Sequence, residues 1–290
     1  MIRGGSKPWH NGGLEGTPKA LRARTEEDNS RNGGRLMLLV LDIGNTTTVL
    51  GLYREDSLVR SWRLTSEKRT ADELSVYLLT LLGTLRVDPE EITGAAMASV
   101  VPPLDAPWSE AVTALCGVHP LEVTSSLDLG MPVCLLNPGE VGADRLVNAV
   151  AGMAAYGKPL LVVDFGTAVN IDVVDGEGRY RGGALAPGLA VSMEALFGRT
   201  AKVPKVALAP PPFAIGRSTQ EAVQSGIIFG YAGLVDALVR RMWKELGAEA
   251  PVVATGGQAS LVASFSETIR SVAPDLTLEG LRLIHRRHRG

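Results

Sequence analysis

One pattern occurs twice in this 290-residue chain and decides its fold: LLVLDIGNT at residues 38–46 and LLVVDFGT at residues 160–167. Each copy is a run of aliphatic residues, typical of a buried β-strand, followed by an Asp-x-Gly turn and small hydroxyl residues. A β-hairpin is predicted behind each turn. The two aspartates lie 122 positions apart, a spacing too long for a solenoid repeat and suited to two duplicated domains.

The remaining pattern alternates between helix and strand and predicts an α/β fold with a mixed β-sheet in each half. In the first half the hairpin strands are residues 49–53 and 58–64, and Thr70 is the N-cap of the helix that follows. The later elements of this half are a strand at 92–101, a helix at 105–116, a short strand at 132–135 and a helix at 146–156. In the second half we predict strands at 170–174, 179–185 and 252–254, helices at 189–197 and 218–246, and two closing helices. The predicted domains are residues 37–157 and 158–290.

The composition of the chain excludes several classes of protein. With 29 Lys and Arg against 31 Asp and Glu, the chain has no global charge that would favour nucleic acid or an anionic membrane. No apolar run approaches the roughly 20 residues of a membrane span. Two cysteines, Cys116 and Cys134, exclude a disulfide scaffold and a cysteine-based zinc module. We therefore expect a cytoplasmic protein that binds neither nucleic acid nor membrane.

Residues 1–36 differ from the rest of the chain. They hold seven basic and four acidic residues and show no periodic apolar pattern, so we predict a disordered basic extension. It is either a tail upstream of a true start at Met37 or an arm that touches a partner. In the long helix, Gly226, Gly230 and Gly233 suit close helix packing, within the chain or between subunits.

The repeated turn has the residues of a phosphate-binding loop. A glycine just past a strand end leaves backbone N–H groups free to hold phosphate oxygens, and small hydroxyl side chains add donors. Asp42, two residues before Gly44, can reach a phosphate-bound Mg²⁺ through water. Two such loops facing each other form a nucleotide clamp, so the pattern indicates phosphoryl transfer.

Five motifs make the prediction of phosphoryl transfer more specific. In chain order they are DIGNT at 42–46, GADR at 142–145, DFGTA at 164–168, GGALAPG at 182–188 and TGG at 255–257. Together they resemble the type III pantothenate kinases, a family of the actin/Hsp70/sugar-kinase superfamily, over residues 37–290. The resemblance implies two ribonuclease-H-like domains with ATP in the cleft between them. It also implies phosphorylation of pantothenate to 4′-phosphopantothenate, the first step of coenzyme A biosynthesis, by a homodimer that uses Mg²⁺ with ATP and a monovalent cation, K⁺ or NH₄⁺.

The resemblance also assigns residues. Asp144 matches the family's general base, Asp164 its monovalent-cation ligand, and Gly142, Ala143, Asp144, Arg145 and Thr219 its substrate contacts. The ATP phosphate contacts would be Asp42, Ile43, Gly44, Asn45, Thr46, Thr47, Thr48, Val49 and Thr167. Strand alternation means that Thr46, Thr47 and Thr48 cannot all face the ligand.

Simpler structural roles stay open for these residues. Asp144 could be a helix N-cap with Arg145 on the surface, Asp164 could bind Mg²⁺ or cap its turn, and Thr219 could merely start a helix. The segments 182–188 and 255–257 could be ordinary turns. The chain departs from the family's pattern at Val169-Asn170, where two threonines are common, and at Leu135, where a tyrosine is common. Two alternative functions are another small-molecule kinase of the superfamily and a nucleotide-binding transcriptional accessory protein.

Overall fold

The computed structural model describes residues 37–199 and 206–289, and the predicted basic extension over residues 1–36 lies outside them. The strands of the described residues are β1 (Met37–Ile43), β2 (Thr47–Arg54), β3 (Ser57–Thr65), β4 (Ile92–Ser99), β5 (Leu121–Glu122), β6 (Leu160–Phe165), β7 (Ala168–Val174), β8 (Tyr180–Pro187), β9 (Val252–Thr255) and β10 (Ser271–Val272). The helices are α1 (Ala71–Thr84), α2 (Pro102–Cys116), α3 (Ala143–Tyr156), α4 (Leu189–Arg199), α5 (Thr219–Leu246), α6 (Ala259–Ala263) and α7 (Leu276–Arg287).

The strands form two sheets with the same topology. The first has the order β3-β2-β1-β4-β5 and the second β10-β9-β6-β7-β8, which is the same arrangement read in reverse. In each sheet the hairpin strands pair antiparallel and the remaining strands pair parallel. The predicted fold class, a duplicated α/β arrangement with mixed sheets, is confirmed.

Each central strand is buried on both faces because helices cover both sides of its sheet. Along β1, Leu39 and Leu41 point into a core with α1 and α2, while Leu38 and Val40 point the other way, as the period-2 geometry of a strand requires. Along β6, Leu161 and Val163 face the core with α5 and α6. Continuous aliphatic runs in both copies of the repeat follow from this two-sided burial.

Helices α3 and α7 fill the space between the two sheets. Their buried side chains join the inner faces of β1, β4, β6 and β9 in a single core. Helix α3 contacts α7, β6 and β7, and α7 contacts β1, β2 and β4. A helix from the second half of the sequence therefore packs on the sheet of the first half, so the core crosses the predicted boundary at residue 157.

Some predicted elements differ from the observed ones. Helix α2 begins at Pro102 rather than Asp105, because prolines are well suited to the first turn of a helix. Residues 132–135 are not a strand of either sheet: Val133 forms an isolated bridge with Tyr180 at the edge of β8. The two-residue strands β5 and β10 were not predicted. Helix α1 has the predicted capping box between Thr70 and Glu73, and Ser218 caps α5.

Helix α5 has the length and apolar composition of a membrane-crossing helix, a test that core helices of soluble proteins also pass. Its glycines 226, 230 and 233 are exposed, and no described residue lies within 4 Å of the position a Cβ would take on any of them. Of the two packing roles considered for these glycines, close packing within the described chain is therefore wrong.

Candidate active site

Three carboxylates from different elements lie close enough to influence each other at one end of the two sheets. Asp42 is near the end of β1, Asp164 near the end of β6, and Asp144 in the first turn of α3. All three are half-buried. The duplicated topology explains the meeting of Asp42 and Asp164, because each occupies the same place in its own sheet.

Burial and mutual repulsion disfavour the charged forms of these groups. Burial, with the nearby charges of Asp144 and Asp164, raises the pKa of Asp42 to about 8. Burial, with Asp144 and Asp172, raises the pKa of Asp164 to about 7. Burial also raises the pKa of Asp144, although the Arg145 backbone N–H and guanidinium act in the opposite direction. The site therefore concentrates negative charge that a cation would compensate.

A short chain of hydrogen bonds holds Asp164. The Nδ2 amide of Asn148 donates to Asp164 Oδ2 at 3.1 Å, and the Thr277 hydroxyl donates to Asn148 Oδ1 at 2.7 Å. Asn148 is buried in α3, one turn after Asp144, and Thr277 is in the first turn of α7. The two helices of the central layer thus fix the orientation of this carboxylate, a contribution that the sequence reasoning missed.

Gly142, not Asp144, is the N-cap residue of α3, so the alternative that Asp144 is a plain N-cap is wrong. The Asp144 Oδ1 accepts the Arg145 backbone N–H at 2.9 Å. A Cβ at position 142 would lie 2.4 Å from that same oxygen. Glycine is therefore needed at this position for the carboxylate to fold back over the start of the helix.

Arg145 is held by a buried carboxylate that the sequence reasoning did not single out. Asp172 Oδ1 accepts hydrogen bonds from Arg145 Nε at 2.9 Å and from the Tyr180 hydroxyl at 2.6 Å, and Arg145 Nη2 lies 2.7 Å from the same oxygen. Asp172 is fully buried, and its Oδ2 has no hydrogen-bond partner among the described residues. Burial raises the pKa of Asp172 even though Arg145 and Tyr180 lower it.

The two glycine turns meet each other. The hydroxyls of Thr46, in the β1–β2 turn, and Thr167, in the β6–β7 turn, are 3.1 Å apart and both residues are exposed. Thr48 behaves differently: its side chain is buried and bonds to Ser66 at 2.9 Å. The three threonines thus differ in exposure, and contact with a nucleotide through the Thr48 hydroxyl would require this bond to break.

Backbone from two other loops packs closely against the β6 turn. A Cβ at Gly188 would lie 2.4 Å from the carbonyl oxygens of Gly166 and Thr167, and one at Gly256 would lie 2.4 Å from Asp164 Oδ1. Gly256 also has a φ of 90°, a region that favours glycine. The segments 182–188 and 255–257 are therefore packed against the β6 turn, which ordinary connecting turns would not require.

The other predicted residues take varied positions. Ile43 lies in the hydrophobic core, Asn45 is exposed, and Thr47 and Val49 are half-buried. Ala143 is buried at the start of α3. Thr219 is exposed at the start of α5 and takes no part in the described hydrogen bonds that organise the carboxylates, so the structure does not bring it to the rest of the site.

The departures from the family's pattern lie beside the site. Asn170 is buried, and its Oδ1 lacks a partner among the described residues, while Val169 fills the core. Leu135 packs partly against the central core, and its Cδ2 would be 3.0 Å from a Cβ on Gly182. An apolar side chain therefore covers the start of the glycine-rich segment within β8.

No three His, Cys, Asp or Glu side chains of residues 37–199 and 206–289 are grouped so that they could hold a metal ion by themselves. The donor set nevertheless suits hard cations, because carboxylate and carbonyl oxygens are their preferred ligands. A cation between Asp42 and Asp164 would favour the charged forms that burial opposes. Such an ion would complete its coordination with backbone, phosphate or water oxygens.

Comparison with known proteins identifies the family. The family model of type III pantothenate kinase matches residues 38–241. A type III pantothenate kinase of Syntrophotalea carbinolica is 46% identical over 88% of this chain and 100% of its own length. One of Thermomicrobium roseum is 48% identical over 87% of this chain and 97% of its own. A solved structure from Campylobacter jejuni, described as a candidate Baf family transcriptional activator, has a TM-score of 0.56 at 16% identity and covers 86% of this chain and 98% of its own.

The fold is a duplicated α/β arrangement with two mixed sheets, and the curated relatives that the chain matches are kinases. Within that class, the chain belongs to the type III pantothenate kinase family. Members of this family are phosphotransferases that use ATP with a divalent metal ion.

Proposed function

We propose that this chain transfers the γ-phosphoryl group of ATP to the primary hydroxyl of pantothenate, giving 4′-phosphopantothenate and ADP in the first step of coenzyme A biosynthesis. The observation that supports this most directly is the grouping of Asp42, Asp144 and Asp164 beside two facing hydroxyl-bearing turns. Phosphoryl transfer relies on this kind of positioning and charge stabilisation.

Asp144 is the general base in this mechanism. As the pantothenate oxygen bonds to the γ-phosphorus, the bond from that phosphorus to the ADP oxygen breaks and the hydroxyl proton passes to the Asp144 carboxylate. Burial raises the pKa of Asp144, which makes this carboxylate a better proton acceptor than an exposed one. Its fixed position at the start of α3 aligns it with the acceptor oxygen.

Arg145 binds pantothenate. Its Nε and Nη2 both bond to Asp172 Oδ1, and its side chain retains partial exposure, so further guanidinium N–H groups remain to donate to the substrate. Gly142 and Ala143 shape the same end of the pocket, and Thr219 would complete it after assembly with a second subunit.

The phosphates of ATP are held by the two turns, from Asp42 to Val49 and at Thr167. Asp42 would hold Mg²⁺ through water, and Asp164 would hold K⁺ or NH₄⁺. These ions, when bound, supply positive charge that neutralises the phosphate oxygens. The raised pKa values of both carboxylates, caused mainly by burial, indicate sites where a cation would be favourable.

A homodimer is supported by an exposed face around α5. Gly226, Gly230 and Gly233 are open on this helix. Beside it, Phe213 and Ile215 are 62% and 83% exposed, and the segment between them is tied to α5 by a hydrogen bond from Ser225 to the Ala214 carbonyl. A glycine face flanked by exposed apolar side chains suits close packing against a second copy.

An assay of purified protein tests the function. ADP release, measured with pantothenate and with hexoses, should require pantothenate and should fall when Na⁺ replaces K⁺. Consumption of ATP with a hexose alone would favour another kinase of the superfamily, and cation-independent turnover would contradict the role of Asp164. Nucleotide binding without product would favour a transcriptional accessory role, which the near-neutral charge does not support. We place the enzyme in the cytoplasm, bound to neither nucleic acid nor membrane.

A further inference from the structure

A cavity of about 680 Å³ lies at the far end of the first sheet from the carboxylates. Its walls are the start of β4, the loop between α2 and β5, and the end of α7. Asp42 is close to Ser99, the last residue of β4, because Ile43 pairs with Ser99. The cavity touches Thr93 to Ala95 instead, so most of the length of β4 separates it from the candidate active site.

Three of the chain's four histidines line this cavity: His119, His285 and His288. His285 is half-buried, and its ring lies directly over Gly94, where a Cβ would be 2.6 Å from ring atoms Cε1 and Nε2. Among the described residues its ring nitrogens have no hydrogen-bond partner. One wall of the cavity therefore presents an imidazole that is fixed by packing and free to donate.

Arg289 adds a permanent positive charge. Its Nη2 donates to the backbone oxygen and to the hydroxyl of Thr93, both at 3.1 Å. These partners are neutral, so among the described residues no carboxylate pairs with this guanidinium. His288 Nε2 is 2.8 Å from the Asp128 carbonyl oxygen, while the Asp128 carboxylate pairs with Arg287.

Glu122, which is exposed, is the one carboxylate among the lining residues. Burial lowers the pKa of His285, and the charges of Arg289 and His288 lower it further. Arg289 therefore supplies the permanent positive charge of the lining and Glu122 the negative one, while the lowered pKa of His285 favours its neutral form with one N–H donor. Cationic and N–H donor groups that converge on a concave site are the usual means of binding a phosphate group.

We infer that the cavity bounded by His119, His285, His288 and Arg289 binds a small phosphate-bearing anion. Its volume falls within the range of small-molecule sites. The phosphate would take hydrogen bonds from those imidazole nitrogens that have no partner among the described residues, chiefly on His285, and from the Arg289 guanidinium, with which no described carboxylate pairs. This site is separate from the phosphate turns at Thr46 and Thr167 and does not depend on the proposed reaction.

Histidine ring NMR can test this site without interference from the ATP turns, because three of four histidines line the cavity. In an H10Q background every ring signal comes from a lining residue. Titration with inorganic phosphate, at constant ionic strength kept with sodium chloride, should shift the His285 and His288 signals in a saturable way. An R289Q variant should weaken this binding about tenfold, as expected for loss of a charge-assisted hydrogen bond.

R286Q is the matched control. Arg286 lies in the last turn of α7, three residues before Arg289, is exposed and is not part of the cavity lining, so its loss changes the net charge equally. Phosphate affinity in R286Q should stay near that of the parent, and E122Q should bind phosphate more tightly. A linear, non-saturating shift, or equal weakening in R286Q and R289Q, would overturn the proposal.

Discussion

The hydroxyl of Thr46 is 3.1 Å from the hydroxyl of Thr167, and this hydrogen bond joins the glycine turn of one sheet to that of the other. The two residues are 121 positions apart in sequence and occupy neighbouring places in the duplicated pattern. Since both are exposed, the bond contributes little to stability. It instead brings two donors together where the nucleotide is proposed to lie.

Replacing either threonine by valine should weaken ATP binding. Each variant removes one donor to a phosphate oxygen, so we expect the KM for ATP to rise about tenfold, with little change in melting temperature. Steady-state kinetics at saturating pantothenate provide the measurement. Serine variants keep the hydroxyl and serve as controls, so equal losses in T46S and T46V would contradict the role of the hydroxyl.

An Asp144→Asn variant should keep the fold and lose turnover. Asparagine has nearly the same shape and can still accept the Arg145 backbone N–H, but it cannot take up the substrate proton. General-base loss predicts a fall in kcat of about 100-fold or more, with a similar KM for pantothenate. The assignment fails if D144N turns over at a rate close to that of the parent.

Asp172 should act through Arg145. Asp172→Asn removes the charge that fixes the guanidinium, and breaking a buried pair costs about 3 kcal/mol or more in the free energy of unfolding. We expect the KM for pantothenate to rise more than kcat falls. Tyr180→Phe removes a different hydrogen bond to the same oxygen and leaves the ion pair in place. If Y180F raised the KM as much as D172N, the effect would be general loosening rather than loss of the Arg145 contact.

Stability of the ligand-free protein should fall as pH rises through the carboxylate cluster. Burial raises the pKa of Asp42 from 3.8 to about 8 and that of Asp164 from 3.8 to about 7. Between these values the folded state keeps protons that the unfolded chain has released, so the free energy of unfolding decreases with increasing pH. An Asp42→Asn variant should melt at a higher temperature than the parent, by a margin that grows between about pH 5 and about pH 8.

Asp72→Asn, at an exposed position in α1, is the control for this measurement. It should show the same pH dependence as the parent. A parent protein that is equally stable at both pH values, with D42N unchanged from it, would show that Asp42 ionises at its ordinary value.

The proposed role of the exposed α5 face in dimer formation can be tested by measuring the molecular mass in solution. Gly230→Leu places a bulky side chain on the proposed subunit interface, while Gly83→Leu makes the same change at an exposed, open glycine of α1. Light scattering should find a dimer for the parent and for G83L and a shift towards monomer for G230L. A dimer that persists in G230L would place the interface elsewhere.

The repeated strand and turn were sufficient to predict both sheets and the position of Asp42 and Asp164, because a buried strand needs an aliphatic run and a tight turn behind it favours glycine. The two-residue strands β5 and β10 are too short to show any periodicity. Residues 132–135 have a strand-like composition, but hydrogen bonding along this stretch reaches only Tyr180.

The sequence did not lead us to Asp172 and Asn148, although each belongs to a recognisable sequence pattern. Asn170 and Asp172 alternate with Val169, Ile171 and Val173, so two polar residues share one face of a strand that is otherwise apolar. Asn148 is four residues after Asp144 and therefore on the same side of α3. Thr277, which completes the chain of bonds to Asp164, has no local signal, because its role depends on how α7 packs between the sheets.

The packing of α7 has a consequence for biosynthesis. This helix covers the inner face of the first sheet, yet it is translated after every other described strand and helix. While the ribosome is still adding residues, Leu38 and Val40 lack the side chains that bury them. The amino-terminal half must therefore remain open to solvent and to chaperones until α7 is available, and both halves are expected to reach the native state together.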